Sequence, residues 1–245
     1  MDLTLSHQPT LVILDIEGTT CPITFVSEVL FPYATARLPT YLKLHHNDPE
    51  VQRLLQEAEA GWSRDSDPAA GALRSTPKAT VVDYLQLLIR QDRKYTPLKE
   101  LQGMIWDQGY HNGELQAELF ADVAPTLMRW HRQGVQLAVY SSGSIAAQQL
   151  LYRHSNAGDL TGLFSGWFDT RTGLKQDANS YAAITATLDV PARNTLFLSD
   201  AVAELDAARS AGLTTVLTQR PGNPPSPQNP RHPCVETLEA IHWTG

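Results

Sequence analysis

The sequence contains very little cysteine. Cys21 and Cys234 are the two that it has among 245 residues. Two cysteines without a ligand-like spacing make neither a disulfide framework nor a zinc site, so we expect a protein of a reducing compartment. With 42% hydrophobic residues, the chain can bury one large core, or a core plus a smaller domain.

An excess of positive charge and long apolar runs are missing as well. The formal net charge is -7 and there is no block of Lys or Arg, so neither nucleic acid nor an anionic membrane is expected as the principal partner. No apolar run approaches the ~18 residues of a membrane span. The segment 1–7 lacks the charged and apolar regions of a signal peptide. The sequence therefore predicts a soluble, cytoplasmic protein, and the absence of a heptad pattern favours a monomer.

The most informative stretch is a short aliphatic run followed at once by polar residues. Residues 11–14 are four consecutive aliphatic side chains, typical of a strand buried on both faces of a parallel sheet. Two carboxylates, a glycine and two hydroxyls follow within residues 15–20. Parallel sheets bind ligands at such strand ends, where a carboxylate can act as a nucleophile or bind a hard cation. The same short pattern also suits a strand that leads into a capped helix.

The spacing of apolar residues divides the chain into two domains. Through residues 21–120 they recur at helical spacing, with a polar stretch at 62–77 that we expect to be a loop. From Pro125 onward, short aliphatic runs alternate with helical patterns, as in βαβ units. We therefore predict an α/β core with a parallel sheet, formed by residues 1–20 and 121–245, and an all-helical cap domain of residues 21–120.

Polar residues follow each of three predicted strands, which places them at one edge of the sheet. A lysine lies in a turn between the last two of these strands. The residues are Asp15, Glu17, Ser141, Ser142, Lys175 and Asp200. They suit phosphoryl transfer, which needs an in-line nucleophile, positive charge at the phosphate oxygens and a proton for the leaving alkoxide. Taken singly, Ser141 and Asp200 could be helix N-caps, and Lys175 a solvated turn residue.

In such a site Asp15 would attack phosphorus and form an aspartyl-phosphate. Asp15 and Asp200 would hold a magnesium ion, because hard cations prefer oxygen ligands. Ser141 and the backbone N–H groups at the start of the next helix would bind phosphate oxygens, and Lys175 would add positive charge. Glu204 is close enough to Asp200 in the sequence to support it.

These segments resemble, in order, the four motifs of the haloacid dehalogenase superfamily of phosphatases. Longer stretches resemble the enolase-phosphatases of methionine salvage over nearly the whole chain, including the helical block. The stretches are DIEGTT at 15–20, FVSEVLFPYA at 25–34, IWDQGYHNGEL at 105–115, VYSSGSIAAQQLL at 139–151, GDLTGLFSGWFDTRTGLK at 158–175, FLSDAVAELDAARSAG at 197–212 and QRPGN at 219–223.

The resemblance implies a Rossmann-like core with a helical cap inserted after the first motif, and a magnesium-dependent reaction with one Mg²⁺ per chain. The implied substrate is 2,3-diketo-5-methylthiopentyl-1-phosphate. It would be enolised and then dephosphorylated to the acireductone 1,2-dihydroxy-3-keto-5-methylthiopentene. The chain would thus be a phosphoric monoester hydrolase acting on a small molecule.

The resemblance also implies roles for individual residues. Asp15 is the nucleophile and a metal ligand, and Asp200 is a further metal ligand. Most superfamily phosphatases have Asp at the position of Glu17, where the backbone carbonyl binds the metal and the side chain is the general acid. The resemblance implies the same two roles, metal ligand and general acid, for Glu17. Ser141, Ser142 and Lys175 are the implied substrate contacts.

Three other functions are compatible with parts of this pattern. A general small-molecule phosphatase would share the core, and segment 105–115 of the cap is where we expect contacts that select the substrate. A dehalogenase would also use an Asp nucleophile but would need neither Glu17 nor a metal, so the presence of Glu17 and Asp200 argues against it. A non-catalytic binding module would be expected to have lost Asp15 or Asp200, and both are present.

Overall fold

A computed structural model describes residues 2–225 and 231–244. The chain divides into two compact units, a larger one of Met1–Val26 with Gln116–Gly245 and a smaller one of Ser27–Leu115. The smaller unit is thus an insertion in the larger one, with both ends a few residues inside the boundaries expected from the sequence.

A parallel sheet forms the centre of the larger unit. The strands of this unit are β1 (Leu3–Leu5), β2 (Leu11–Leu14), β3 (Gln136–Tyr140), β4 (Phe164–Phe168), β5 (Thr195–Ser199), β6 (Thr214–Thr218), β7 (Cys234–Val235) and β8 (Ile241–Trp243). Six of them form one sheet in the order β4-β3-β2-β5-β6-β7, and every neighbouring pair is parallel. The predicted α/β fold with a parallel sheet is therefore confirmed.

The central position of β2 follows from its sequence. Each of its four side chains is fully buried, as expected for a strand covered on both faces. Its last residue, Leu14, pairs with Val139 of β3 on one side and Leu198 of β5 on the other. The carboxyl ends of these three strands are consequently level to within one residue, so the residues that follow them meet at one edge of the sheet.

Three short strands of the larger unit were not predicted. β1 and β8 form a separate two-stranded parallel sheet in which Leu3 pairs with Ile241. β7 adds to the edge of the main sheet beside β6. Strands of two or three residues are too short to show the alternation on which a sequence-based assignment depends.

Nine helices are described, and those of the smaller unit pack around their own apolar core. They are α1 (Phe31–Leu44), α2 (Pro49–Arg64), α3 (Pro68–Arg74), α4 (Val81–Arg90) and α5 (Thr96–His111) in the smaller unit, and α6 (Val123–Arg132), α7 (Ile145–Arg153), α8 (Ala178–Thr187) and α9 (Val202–Ser210) in the larger. Among the described residues, no helix combines the length and the apolar composition that a membrane span requires.

The prediction of a loop at 62–77 is wrong for much of that segment. α2 continues to Arg64, and α3 occupies Pro68–Arg74. The carboxylate of Asp67 accepts hydrogen bonds from the N–H groups of Ala69 and Ala70, and Pro68 occupies the first helical turn. An Asp-Pro start followed by alanines is a helix signal that outweighs the single Gly71.

Candidate active site

The structure places the acidic and hydroxyl residues of the prediction at the ends of adjacent strands. Asp15 directly follows β2, Ser141 directly follows β3, and Asp200 directly follows β5. Lys175 lies between β4 and α8, and its Nζ is 2.6 Å from Oδ1 of Asp15. Asp15 and Lys175 therefore contact each other directly although they lie 160 positions apart in the chain.

Lys175 forms a buried ion pair with two carboxylates. Its Nζ lies 2.6 Å from Oδ1 of Asp15 and 2.7 Å from Oε2 of Glu204, and only 11% of its side chain is exposed. Burial by itself would lower the pKa of Lys175, because it disfavours the charged ammonium. The neighbouring negative charges of Asp15 and Glu204 have the larger combined effect and raise this pKa. A fixed positive charge is therefore held beside the Asp15 carboxylate.

Ser199, the last residue of β5, connects the same two carboxylates. Its Oγ lies 2.9 Å from Oε2 of Glu204 and 3.3 Å from Oδ2 of Asp15, and it accepts a hydrogen bond from the N–H of Ala201. Burial, followed by the charge of Asp15, raises the pKa of Glu204 to about 7. The position of Glu204 is thus set by one lysine and one serine rather than by solvent.

Asp200 lies against the backbone of Gly18. Gly18 has a φ of +68°, and a Cβ built on it would lie 2.7 Å from Cγ of Asp200. The N–H of Gly18 donates to the carbonyl of Cys21 at 2.8 Å, which closes the loop that follows β2. Burial and then the negative charge of Asp15 raise the pKa of Asp200 to about 6. Only glycine permits this approach between the loop and the carboxylate.

We expect Gly18→Ala to reduce both stability and activity, because the new Cβ collides with Asp200 and the left-handed backbone costs about 1 kcal/mol. Gly158→Ala is a matched control, since Gly158 has a φ of +86° and no heavy atom within 4 Å of its Cβ position. Thermal unfolding should show a loss in both variants, and phosphate release should fall in Gly18→Ala alone. Wild-type phosphate release in Gly18→Ala would contradict the close packing.

The loop after β3 is held by residues of α7. Ser144 is the N-cap of this helix, and its Oγ accepts from the N–H of Ala147 at 3.3 Å. Ser141 is buried, and its Oγ accepts from the N–H of Gly143 at 3.3 Å. Nε2 of Gln148 donates to the carbonyls of Gly143 and Phe168, both at 2.8 Å. The helix cap is therefore Ser144, which leaves the half-buried Ser142 and the buried Ser141 in the loop itself.

Glu17 and Cys21 lie in the loop that follows β2. Glu17 is half-buried and forms a backbone bridge with Cys21. Burial, followed by the charge of Glu17, raises the pKa of the Cys21 thiol far above its ordinary value. Cys21 is therefore protonated at neutral pH and is a packing residue rather than a nucleophile.

The carboxylates of Asp15 and Asp200 could hold a divalent cation. The charge of Asp15 contributes to the raised pKa of Asp200, so a cation between them would offset their repulsion. Within the described ranges, no three His, Cys, Asp or Glu side chains are grouped as a metal site. The third protein ligand that the resemblance implies is the backbone carbonyl of Glu17. Such an all-oxygen set fits Mg²⁺.

Sequence reasoning missed several residues that support the site. Ser199 was not among the predicted site residues, although a serine before Asp200 at a buried edge is a signal for a side-chain hydrogen bond. Arg220 and Asn223 were quoted only as part of a resemblance. Their side chains contact the loop after β2, and the Pro-Gly pair between them is a recognisable tight-turn signal.

Known proteins match this chain along nearly its whole length. The model of the haloacid dehalogenase-like hydrolases matches residues 9–212. An enolase-phosphatase E1 from Alcanivorax borkumensis is 48% identical over 94% of this chain and 97% of its own length. Another from Synechococcus sp. (strain CC9902) is 46% identical over 93% and 95%.

A solved structure gives the same result for the fold. The crystal structure of the UTR4 protein from Saccharomyces cerevisiae has a TM-score of 0.76 and 32% identity, and the match covers 95% of this chain and 99% of that one. The chain therefore belongs to the haloacid dehalogenase-like hydrolases and, within them, to the enolase-phosphatases E1.

Proposed function

We propose that this chain is a bifunctional enolase-phosphatase of methionine salvage. It enolises 2,3-diketo-5-methylthiopentyl-1-phosphate and then removes the phosphate, giving 1,2-dihydroxy-3-keto-5-methylthiopentene. The observation that carries this proposal is the 48% identity to an enolase-phosphatase E1 over 94% of the chain. That identity extends through both compact units, so it covers the strand ends of the larger unit and the inserted helices alike.

In the phosphatase step, a carboxylate oxygen of Asp15 attacks phosphorus and the bond from phosphorus to the leaving oxygen breaks. This transfers the phosphoryl group to Asp15 and releases the enol. A water molecule then attacks the phosphorus of the aspartyl-phosphate, which frees the carboxylate and inorganic phosphate. The support for this role is that Asp15 is buried at the carboxyl end of the central strand, beside the ammonium of Lys175.

Lys175, Ser141 and Ser142 bind the phosphate group in this proposal. The charge of Lys175 offsets the repulsion between the Asp15 carboxylate and the phosphate oxygens, and Glu204 holds the lysine in place at 2.7 Å. Ser141 and Ser142 lie in the loop before α7, where a hydroxyl and N–H groups at a helix start suit phosphate oxygens.

Glu17 is the proposed general acid and base. It donates a proton to the leaving oxygen in the first half of the reaction and accepts one from the attacking water in the second. Glu17 lies two positions after the nucleophile Asp15, which is the spacing of the superfamily motif. Its longer side chain, compared with the usual Asp, moves the carboxyl further from the backbone.

The proposed cofactor is one Mg²⁺ per chain, held by Asp15, Asp200 and the carbonyl of Glu17. When bound, it would screen the charge of the phosphate. It would also polarise the carbonyl oxygens next to the carbon that loses its proton during enolisation. The oxygen donor set and the raised pKa of Asp200 support this assignment.

The smaller unit is proposed to select the substrate as a cap. It is inserted shortly after the loop that carries Glu17, and segment 105–115 includes the end of α5 and the exposed turn at Asn112. We expect Asn112→Ala to lower kcat/KM for the diketo ester several-fold, with little change for p-nitrophenyl phosphate. Steady-state kinetics on both esters measures this, and equal losses on the two would contradict a selective role.

We also propose that the protein is a cytoplasmic monomer. Light scattering at micromolar concentration should then give a mass near 27.0 kDa. Twice that mass would contradict the monomer.

The nearest alternative is a phosphatase of broad specificity, which would use the same strand-end residues. Two signals distinguish them: ultraviolet absorbance of the enol, and released phosphate. The proposal expects enol first and phosphate second from the diketo ester, with Mg²⁺ required. Comparable kcat/KM on a panel of unrelated phosphate esters, with no preference for the diketo ester, would leave only the broad phosphatase.

A further inference from the structure

The sequence from Arg220 to Asn223 forms a tight turn that begins two positions after the end of β6. Pro221 fixes φ at the second position, and Gly222 supplies the positive φ of +88° at the third. The N–H of Asn223 donates to the carbonyl of Arg220 at 3.1 Å, which closes the turn. Local chemistry thus brings the side chains of Arg220 and Asn223 together at the carboxyl end of the sheet.

Both side chains donate hydrogen bonds to the loop that follows β2. Nδ2 of Asn223 donates to the carbonyl of Gly18 at 2.9 Å. Nε of Arg220 donates to the carbonyl of Thr19, the next residue, at 2.8 Å. The same Asn223 amide lies 3.5 Å from Oδ2 of Asp200. One turn therefore contacts two consecutive carbonyls of the loop after β2 and also approaches the carboxylate of Asp200, which follows β5.

Arg220 is itself firmly anchored. It is 3% exposed, and its Nη1 donates to both carboxylate oxygens of Asp122 at 2.9 Å. Nη1 also donates to the carbonyl of Glu236, and the guanidinium lies 4.7 Å from the centre of the Phe120 ring. A buried guanidinium with this many partners holds one orientation, so the Arg220 end of the turn is fixed to the larger unit.

We propose that the turn from Arg220 to Asn223 positions the active-site loop and that Asn223 is a positioning residue for Asp200. Gly18 packs directly on Asp200, so a shift of the Gly18 carbonyl moves the surface on which that carboxylate rests. The amide of Asn223 donates to the Gly18 carbonyl and lies beside Oδ2 of Asp200, which couples the two. This inference rests on the proposed assignment of Asp15 and Asp200 to the reaction.

The test compares Asn223→Ala with Asn156→Ala in the full-length protein. Asn156 is a matched control, because its side chain also bonds backbone groups, the N–H and carbonyl of Leu119, in the same unit. Both variants lose hydrogen bonds to the backbone, so both should unfold at a lower temperature. Only Asn223→Ala should lower kcat, by about tenfold, as expected for a misplaced reacting group. KM for the diketo ester should change little.

A second readout does not depend on turnover. Addition of Mg²⁺ alone should raise the unfolding temperature. The midpoint of this rise should lie at a several-fold higher Mg²⁺ concentration in Asn223→Ala than in wild type. Asn156→Ala should keep the wild-type midpoint. Asn223→Asp should behave at least as badly as Asn223→Ala, because a carboxylate cannot donate to Gly18 and repels Asp200.

Asp200→Ala distinguishes a failure of the positioning role of Asn223 from a failure of the proposed active site. If Asp200→Ala is inactive while Asn223→Ala keeps wild-type kcat and Mg²⁺ midpoint, the positioning role is wrong and the proposed site stands. If Asp200→Ala keeps wild-type activity, the site assignment fails and the positioning role fails with it. Equal losses of kcat in Asn223→Ala and Asn156→Ala would mean that the turn contributes only to general stability, which would overturn the inference.

Discussion

Asp15→Asn is expected to lower phosphate release from the diketo ester by a factor on the order of 10³ or more. The carboxamide is nearly isosteric with the carboxylate but is a poor nucleophile, so no phosphoryl-enzyme forms. The side chain also loses the negative charge that pairs with Lys175 at 2.6 Å. Phosphate release, measured over hours at high enzyme concentration, gives the residual rate.

A matched substitution separates the loss of chemistry from a loss of structure. Asp159→Asn makes the same change at an exposed position in the same unit, where the side chain accepts hydrogen bonds from the N–H and the hydroxyl of Thr161. It should keep wild-type phosphate release. Asp15→Asn should remain folded by circular dichroism. Substantial turnover in folded, sequence-verified Asp15→Asn would contradict its role as the nucleophile.

Lys175→Met should lower kcat/KM by about 10²-fold, because it removes the charged donor closest to the attacking carboxylate. The folded state should lose about 3 kcal/mol as well, since Asp15 and Glu204 are left buried without their counter-charge. Urea unfolding and steady-state kinetics measure the two effects. Lys43→Met, at an exposed position of α1, is the control and should change neither.

The double variant Lys175→Met/Glu204→Gln distinguishes catalysis from stability. Removing the charge of Glu204 relieves the repulsion with Asp15, so the double variant should be more stable than Lys175→Met. Its kcat/KM should stay low, because no positive charge has been restored. If the double variant recovered activity together with stability, Lys175 would be a structural residue only.

The fold was largely predictable because the strongest signals in this chain are local. The aliphatic run of β2 is unbroken and ends in Asp15, and a strand with that pattern belongs in the middle of a parallel sheet. The Thr-x-x-Asp start of α4 is a local signal too, and the Asp83 carboxylate accepts hydrogen bonds from the N–H and the hydroxyl of Thr80, both at 2.8 Å. The helix α3 was misjudged because its loop-like composition was given more weight than its Asp-Pro start.

The candidate site was predictable as a set of strand ends and not as a set of contacts. The level carboxyl ends of β2, β3 and β5 follow from the parallel arrangement. The bond from Asn223 to Gly18 spans 205 positions and depends on how β6 meets the loop after β2. The link from Ser199 to Glu204 depends on the first turn of α9. Contacts of this kind are set by tertiary packing, which no local pattern encodes.

The most direct test of the account is to trap the phosphoryl-enzyme. The protein is mixed with the diketo phosphate ester and Mg²⁺, quenched in acid within the first turnover, reduced with borohydride and digested for mass spectrometry. Asp15 alone should be converted to homoserine, in step with release of the enol, and no homoserine should form in Asp15→Asn. Full turnover with Asp15 unmodified, or with the phosphoryl group on another residue, would contradict it.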